Sequence, residues 1–459
     1  MHVYVKRQTM LMKFTHILKF KAVAIAAALL ACIVSCSGPL DMEFSSNLSH
    51  PQKERPEGAT LKETPNLRRV FVLFSFGYNN LSYDLNEDIE EMIKGALPEY
   101  GPDKNVVLVL KHSTAKGSNY SQPSSPVLTQ FYTKDGKIIR DIVKVYADTT
   151  VAARKTIVND VLTIAKNRFP AKSYGMLISS HGTGWAPQGY CYSPPDKGYT
   201  SIMSLDSFEN SVLEKYHQDR PLLKSIGAHY NGSAARSIEI EIQDLAEAIP
   251  MHLDYILFDA CLMGCIEVAY ELKDKCDQIC FSQTEVLSGG MDYKNLLSSL
   301  FDYEDINLRA CAENYFNMYK DQKPSYMRSA TVSVVDCRRL DPLAAIVAKH
   351  AEKIRALAET GSRNDVQGYF QPDISRYHGI FYDLEDIVAK SGATEEELAE
   401  LRAALDECVL CKYATARFLD EFTINTHCGL SMYLYDSDRY ILNKYYKTLK
   451  WEQKVRLIE

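Results

Sequence analysis

Two short motifs, each placed directly after an apolar run of strand length, constrain this chain more than any other feature. The first, His-Gly-Thr-Gly-Trp, begins at His181 and follows the run 174–180. The second, Asp-Ala-Cys-Leu-Met-Gly, places Cys261 directly after the run 253–259, 80 positions further along the chain. Apolar runs of this kind are typical of buried strands in a parallel sheet. Open α/β sheets bind ligands at the carboxyl ends of their strands, so the motifs predict an α/β fold with a cysteine hydrolase site at that edge.

The residues around the two motifs suggest how a thiol could be activated there. A free cysteine is only a few per cent thiolate at neutral pH, so a nucleophilic cysteine needs a lowered pKa or a neighbouring base. The helical spacing of 262–272 predicts that Cys261 lies at a helix N-terminus, where the helix dipole favours the thiolate. His181 would supply the base. The N–H groups of Gly182 and Cys261 would stabilise an oxyanion, and Trp185 would form a wall of the cleft.

A purely structural interpretation of the same residues has to be compared with the catalytic one. A lone buried cysteine usually behaves as a small apolar side chain, and a lone histidine is usually held by ordinary hydrogen bonds. Here both residues follow a predicted strand, and glycines flank the histidine. The pairing favours a catalytic role for His181 and Cys261 over two separate structural roles.

In this order and on these strands, the two motifs resemble those of the clostripain family of cysteine peptidases, which is related more distantly to gingipains, legumains and caspases. The resemblance extends from about Arg69 to the C-terminus, with weaker similarity at 383–387, at 428–434 and at Trp451. It implies a caspase-like α/β/α sandwich with a mostly parallel central sheet and an appended C-terminal lobe. It also implies a Cys-His dyad.

Matched position by position, the resemblance implies that Cys261 is the nucleophile and His181 its partner base. Asp259 lies two residues before Cys261 and hence on the same side of the strand. Its equivalent in relatives that cleave after Arg or Lys lines the S1 pocket, where a carboxylate can pair with a basic P1 side chain. The alternative is that Asp259 only accepts backbone N–H bonds near the strand end.

The sequence departs from the family pattern in the next loop. Relatives with basic specificity carry a second acidic residue there, whereas this chain has Gly289 at the aligned position. Glu285 and Asp292 are the nearby acidic candidates for that role. Cleavage after Arg or Lys is therefore an expectation that depends mainly on Asp259.

The N-terminal segment predicts export and a lipid anchor. Residues 1–35 carry five cations, no acidic residue and an apolar run that ends at Ser35-Cys36, which is the pattern of a lipoprotein signal peptide. Cleavage before Cys36 would leave a lipidated cysteine followed by a polar tether over 36–66. The alternative is an uncleaved membrane anchor. The expected location is the cell envelope, on the periplasmic side or at the cell surface.

The charge balance excludes one class of partner. The whole chain has 52 Lys and Arg against 59 Asp and Glu, and without the five cations of the signal segment 47 basic side chains remain against those 59. Such an acidic chain is not expected to bind nucleic acid. The expected partners are protein or peptide substrates and, through the anchor, a lipid membrane. No metal site is predicted, and calcium is implied by the family resemblance only, since no loop with EF-hand spacing occurs.

The twelve cysteines do not form a dense disulfide framework. The spacings Cys276-x-x-x-Cys280 and Cys408-x-x-Cys411 have no second Cys/His pair nearby in the sequence, and the second pair falls in a helical pattern. Core packing is therefore favoured over metal binding for these residues. We predict no disulfide, although an exported chain permits them.

The residues from 67 onward are expected to form a catalytic domain over 67–325 and a C-terminal lobe over 326–459 that extends the α/β fold. An Asp-Gly pair within 131–139 predicts a hairpin. The expected strands are 69–75, 106–110, 174–180, 253–259 and 328–335, and the expected helices are 83–97, 151–168, 242–249, 262–272, 341–358 and 394–418, the last with Thr394 as N-cap.

The interval between the two motifs is longer than a strand-to-strand crossover requires. Relatives can activate themselves by cleavage in this interval, and the resemblance makes Lys197, Arg220, Lys224 and Arg236 the candidate sites here. An ordinary exposed polar loop explains the same residues.

Taken together, the sequence predicts a lipid-anchored cysteine endopeptidase. A surface lipoprotein that has lost activity and binds peptides or proteins with the same fold is the alternative from a different class, and an amidase using the same dyad is a third.

Overall fold

In the computed structural model, the described residues are 67–115, 123–188, 190, 239–360, 362–369 and 379–458. All of them belong to one compact unit that spans Thr64–Glu459. Among them, nine strands form the main sheet, in the spatial order β10-β8-β7-β6-β5-β1-β2-β3-β4. These strands are β1 (Leu67–Gly77), β2 (Val106–Ser113), β3 (Val127–Lys134), β4 (Lys137–Val145), β5 (Ala171–Ser179), β6 (Leu253–Asp259), β7 (Cys276–Phe281), β8 (Thr331–Asp336) and β10 (Val409–Ala414).

The five central strands, β2, β1, β5, β6 and β7, run parallel, and two antiparallel strands extend the sheet at each side. The central strands are almost entirely buried, as their continuous apolar sequences require when both faces of a sheet are covered. Short strand pairs lie outside this sheet: β9 (Tyr382–Asp383) with β13 (Ser431–Met432), and β11 (Arg417–Phe418) with β12 (Phe422–Thr423).

Helices cover the sheet and complete an α/β fold. Helices α1, α5 and α6 pack together, and α2, α3, α4, α7, α10 and α12 form a second packed group. The helix bounds are α1 Ser82–Lys94, α2 Lys155–Arg168, α3 Ile242–Ala248, α4 Ile266–Leu272, α5 Tyr293–Phe301, α6 Leu308–Tyr319, α7 Leu340–Lys349, α8 Ala351–Glu359, α9 Leu384–Lys390, α10 Glu395–Cys408, α11 Tyr440–Tyr446 and α12 Lys450–Val455.

The predicted Asp-Gly hairpin is confirmed. Strands β3 and β4 pair antiparallel up to Lys134 opposite Lys137, so the connecting turn consists of Asp135 and Gly136. Both residues have positive φ, 51° and 71°. A two-residue turn with this conformation matches the right-handed twist of the strands it joins.

The prediction of one helix over 394–418 is correct at its start and wrong at its end. Thr394 caps α10, with its hydroxyl accepting from the N–H of Glu397 and the Glu397 carboxylate accepting from the N–H of Thr394. The helix stops at Cys408, and 409–414 form β10 against β8. The apolar side chains of 409–413 are compatible with either a helix or a strand. Pairing with the edge of the sheet at β8 favours the strand.

The helix predicted over 341–358 is divided at His350 into α7 and α8. The N–H of His350 bonds to the carbonyl of Val347, three residues back, which is the tighter geometry of a helix end. Both helices present apolar residues to the core, among them Leu343, Val347 and Ile354.

Residues beyond 326 contribute to the same sheet and core as those before it. Strands β8 and β10 extend the sheet next to β7, and Trp451 of α12 is fully buried against Tyr270 of α4, with ring centroids 5.4 Å apart. Within the described ranges, no helix combines the length and the apolar character needed to cross a bilayer.

Candidate active site

The carboxyl ends of β5 and β6 bring His181 and Cys261 to neighbouring positions. The two strands pair in parallel with Ser179 opposite Asp259, so each candidate residue lies two positions beyond a matched pair. The N–H of Ser180 also donates to the carbonyl of Asp259, at 3.3 Å, which continues the pairing past the strands. Both His181 and Cys261 are buried. The structure therefore brings together the two residues that the sequence motifs singled out.

Gly182 allows the two loops to approach each other. A Cβ atom at this position would overlap the carbonyl oxygen of Cys261 and lie 2.8 Å from its nitrogen. Only a residue without a side chain permits this contact of backbones. The two groups expected to form an oxyanion hole, the N–H of Gly182 and that of Cys261, thus belong to adjoining backbone segments.

The prediction that Cys261 lies at a helix N-terminus is wrong. Helix α4 begins at Ile266, and Leu262 has a φ of 60°, in the left-handed region that interrupts a helix. The N–H groups of Leu262 and Gly264 donate to the carbonyls of Thr284 and Ser282, at 2.9 and 2.6 Å. The segment after Cys261 is therefore a tight turn held by the loop that follows β7, and the apolar spacing of 262–272 reflects burial of both turn and helix.

A backbone donor, and not a helix dipole, faces the sulfur. The N–H of Val286 lies 3.1 Å from the Sγ of Cys261, and the carbonyl of the same residue lies 3.8 Å from it. Hydrogen bonds to the charged form of a group favour that form, so the Val286 N–H stabilises a thiolate at this position. This donor could not be identified from the sequence, because it comes from a loop 25 residues away.

Asn80 contacts the candidate base, and sequence analysis did not identify it. Its Oδ1 lies 2.6 Å from the Nε2 of His181. Asn80 belongs to the short connection between β1 and α1, and β1 is the direct neighbour of β5 in the sheet. The one available signal was a polar Asn-Asn pair directly after the apolar run of β1.

Asp259 is fully buried beneath the site. Its Oδ2 accepts hydrogen bonds from the hydroxyl of Ser179, at 2.8 Å, and from that of Tyr293, at 2.7 Å. Burial, followed by the negative charges of Asp259 and Asp88, raises the pKa of Tyr293 well above its usual value. Tyr293 therefore stays protonated and donates to the carboxylate. The side chains of Ser179 and Tyr293 thus each donate a hydroxyl hydrogen bond to the Asp259 carboxylate.

The loop after β7 contains Glu285, Gly289 and Asp292, and each of these residues has different surroundings. Gly289 faces Tyr319, because a Cβ there would lie 3.2 Å from the tyrosine hydroxyl, and that hydroxyl donates to the carbonyl of Gly290 at 2.9 Å. Asp292 caps α5 by accepting from the N–H and the side chain of Asn295. Glu285 is buried next to the Val286 donor. Asp292 has a structural role at this helix end, which leaves Glu285 as the buried acid of the loop.

Trp185 does not form a wall of a cleft, as the sequence suggested. It is fully buried, and its ring packs against Tyr433 and Tyr446, with centroid distances of 5.1 and 4.8 Å. The left-handed Gly184 before it, with a φ of 61°, turns the chain inward. The histidine motif thus attaches the site to the C-terminal part of the chain.

The remaining predictions concern metal binding, the other cysteines, the lipidation site and the cleavage positions. No group of three or more His, Cys, Asp or Glu side chains that could hold a metal ion occurs among the residues the structure describes. Cys276, Cys280, Cys408 and Cys411 are buried free thiols, which agrees with the packing role predicted for these four residues. Cys36 and the candidate cleavage positions Lys197, Arg220, Lys224 and Arg236 lie outside the described residues.

The cysteine and the histidine lie at the carboxyl edge of a parallel sheet, where α/β folds carry their active sites. The class of protein, a cysteine peptidase with an α/β fold, follows from comparison with known proteins. The model of the clostripain family, peptidase family C11, matches residues 73–218 and 230–457. This is more than half of the chain, so the protein belongs to the clostripain family. No curated protein sequence matches it.

Solved structures show the same fold. An inactive zymogen C11 protease from Parabacteroides distasonis is 24% identical, with a TM-score of 0.65 over 86% of this chain and 99% of that one. A secreted C11 cysteine protease from Bacteroides thetaiotaomicron, solved with an irreversible peptide inhibitor, is 22% identical, with a TM-score of 0.64 over 84% and 98% of the two chains. At these sequence identities the structural similarity shows that the fold is shared, and it shows nothing further.

Proposed function

We propose that this protein is a lipid-anchored cysteine endopeptidase in which Cys261 and His181 form the catalytic dyad. The observation that carries the proposal is the matched position of the two residues beyond β5 and β6, with the backbone of Gly182 against that of Cys261. Parallel strand ends hold such a pair more rigidly than two unconnected loops would.

The proposed reaction follows the chemistry of these groups. His181 takes the thiol proton, and the thiolate of Cys261 attacks the peptide carbonyl to form a tetrahedral oxyanion. The N–H groups of Gly182 and Cys261 stabilise that oxyanion. Collapse breaks the C–N bond while His181 returns the proton to the leaving amine, which leaves a thioester. Water, deprotonated by His181, then attacks the thioester and releases the acid product and the thiol.

The S1 pocket is proposed to select Arg or Lys through Asp259. A buried carboxylate attracts a cation strongly because the surrounding dielectric is low. The charge of Asp88 acts on the same tyrosine as that of Asp259 and adds to the negative potential. Since Gly289 supplies no second acid, we expect weaker discrimination between Arg and Lys than a two-acid pocket would give.

Export, lipidation at Cys36 and self-cleavage between the two motifs are further parts of the proposal. The signal pattern of 1–35 supports the first two. Self-cleavage is supported by the cations in the interval and by the likeness to a C11 protease solved as an inactive zymogen. No calcium requirement is proposed.

A binding protein without activity is the second candidate function. The observation that favours it is the complete burial of Cys261, whose sulfur contacts the backbone of Val286. A peptidase has to expose this sulfur to its substrate, whereas a binding protein does not.

Cleavage of a positional-scanning peptide library by the chain lacking residues 1–36 tests the proposal, with Cys261→Ala as the matched control. We expect turnover after Arg or Lys that is absent from the variant. Turnover after other residues would retain the dyad and exclude the basic S1 pocket. If mild proteolysis of the 182–240 interval also fails to produce turnover, the binding protein becomes the better proposal.

A further inference from the structure

We propose that Asn80 is a positioning residue for His181: its side-chain carbonyl fixes the tautomer and the ring orientation of the base. This inference rests on the proposed dyad, because it assigns Asn80 a role only if His181 moves the proton. Its basis is the 2.6 Å contact between Oδ1 of Asn80 and Nε2 of His181.

Asn80 is held in place from both sides of its short loop. On one side, the Nδ2 of Asn79 donates to the carbonyl of Phe76 at the end of β1, at 3.0 Å. The Oδ1 of Asn79 accepts from the N–H of Leu81, at 2.9 Å. The N–H of Ser82 donates to the carbonyl of Asn79 at 3.1 Å. Asn79 thus fixes the backbone around Asn80, which leaves the side chain of Asn80 to contact His181.

The next element anchors the loop to the neighbouring strand. The hydroxyl of Ser82, the first residue of α1, accepts hydrogen bonds from the N–H and the hydroxyl of Thr114, at 3.1 and 2.9 Å. Thr114 directly follows β2, the strand beside β1. The ends of β1 and β2 therefore hold Asn80 at the same edge of the sheet at which His181 follows β5. A contact between rigid elements can keep its geometry through a catalytic cycle.

The chemistry of an amide carbonyl determines which imidazole nitrogen acts. A carbonyl oxygen only accepts hydrogen bonds, so Nε2 of His181 has to carry the proton in this contact. Neutral imidazole has one N–H, and Nδ1 then holds the lone pair that takes the thiol proton from Cys261. When the ring is protonated, the same carbonyl continues to accept from Nε2–H and stabilises the cation without adding a charge.

Three variants separate positioning from simple structural support. Asn80→Leu keeps the approximate shape and removes the acceptor, so we expect kcat to fall roughly 10- to 100-fold with KM changed less than about 3-fold. Asn80→Asp keeps the acceptor and adds a negative charge, which favours imidazolium. His181 has to be unprotonated to take the thiol proton, so its pKa sets the acid limb of kcat/KM against pH. That limb should therefore move up by about one pH unit in Asn80→Asp and move down in Asn80→Leu.

The native ionisable groups at this edge are unchanged in every variant, so the carboxylate of Asn80→Asp is the one charge added there. The native groups are Cys261 and Asp259 at the end of β6 and Asp84 and Asp88 on α1. A matched pair at a distant site, Asn314→Leu and Asn314→Asp, removes or charges a side chain that bonds to Ser299 on α5. These two variants should leave both kcat and the acid limb unchanged.

A tautomer measurement gives a readout that does not depend on activity. In full-length protein with 15N-labelled histidine, His181 can be assigned among the 11 histidines by its loss in His181→Gln. We expect the Nε2–H tautomer in the native chain and a loss of that preference in Asn80→Leu. An Nδ1–H tautomer in the native chain would overturn the proposal. So would equal losses of kcat in Asn80→Leu and Asn80→Asp with unmoved pH limbs.

The two readouts distinguish this inference from the proposed function. If no substrate is turned over but the tautomer depends on Asn80, the dyad proposal fails and the positioning contact stands as a structural fact without a catalytic role. If turnover requires Cys261 but the His181 tautomer and the pH profile are unchanged in the Asn80 variants, the peptidase proposal stands and the positioning role is rejected.

Discussion

Burial changes the pKa of individual side chains near the candidate nucleophile, and Glu267 on α4 is an example. It is fully buried, and its Oε1 accepts from the N–H of Tyr433 at 2.8 Å and from the hydroxyl of Tyr446 at 2.9 Å. Burial raises the pKa of Glu267 to about 7, partly offset by these donors and by Cys265. From the sequence alone, a glutamate in this helix would be placed on the exposed face.

The variant Glu267→Gln should remove a pH dependence of stability. The pKa is higher in the folded chain than the ordinary value of 4.5, so the folded state binds the proton more tightly. Native stability is therefore lost as pH rises from about 4.5 to about 7, by roughly 3 kcal/mol in all. Glutamine accepts the same hydrogen bonds and does not titrate. Urea unfolding at pH 5 and pH 8 should show this loss in the native protein and not in the variant.

The matched control for this prediction is Glu407→Gln, since Glu407 is an exposed glutamate whose ion pair with Arg339 lies at the surface. It should retain the pH dependence of the native chain. Equal pH dependence in the native protein and in Glu267→Gln would show that the buried carboxyl does not titrate in this range.

At the scale of elements, the spacing of the β5 and β6 loops is set by Gly182. A methyl group at this position would overlap the backbone of Cys261, which cannot rotate away as a side chain could. The two strands are fixed by their hydrogen bonds, so a forced separation would be taken up by the loops that carry His181 and Cys261.

The variant Gly182→Ala should therefore lower both activity and stability. A displacement of about 1 Å at reacting groups can reduce the rate by about 10²-fold, whereas overpacking costs about 1–3 kcal/mol. Rates of peptide hydrolysis and of thiol alkylation at Cys261, together with urea unfolding, would measure both effects.

Gly136→Ala is the comparison variant for Gly182→Ala. Gly136 has open space around its Cβ position but a φ of 71°, so alanine there should cost about 1 kcal/mol and leave activity intact. Native rates in Gly182→Ala would mean that the loops tolerate the separation.

Local sequence signals predicted elements well where their cause is local. The Asp135-Gly136 turn and the Thr394 capping box depend on residues within four positions of each other, and both are present. The helix expected directly after Cys261 and the helix continuing past Cys408 are wrong. In both places a distant segment, the 282–284 loop or strand β8, takes the backbone hydrogen bonds.

At the scale of the whole molecule, the C-terminal residues are part of the structure that supports the site. The side chain of Gln283 donates to the hydroxyl of Ser333 and to the carbonyl of Gly429, both at 2.8 Å, while the N–H of Ser431 donates to the carbonyl of Gly264 at 2.9 Å. These bonds connect the turn after Cys261 to segments on either side of residue 400. The turn is thus fixed by the last third of the chain.

Trp451 tests this dependence. Its ring is fully buried beside Tyr270 of α4, the helix that follows the Cys261 turn. Trp451→Ala should destabilise the protein by about 3–5 kcal/mol through lost burial and the cavity left behind. Urea unfolding measures the loss, with Tyr440→Ala as control because that side chain is 73% exposed and should change stability by less than about 0.5 kcal/mol. Similar losses in the two variants would show that α12 is dispensable.

The sequence by itself determined a mostly parallel sheet, four of its five central strands and the two residues that follow β5 and β6. Apolar runs, glycines and turn residues are local features, and they placed His181 and Cys261 at the same edge of one sheet. Only the tertiary structure decided which groups face them. The donor to Cys261, the acceptor for His181 and the hydroxyls on Asp259 come from Val286, Asn80, Ser179 and Tyr293. Three of these four lie in loops or helices remote in sequence from the residue they contact, and the fourth contacts across a strand pair. No local pattern encodes such partners, because folding, and not sequence spacing, brings them within hydrogen-bonding distance.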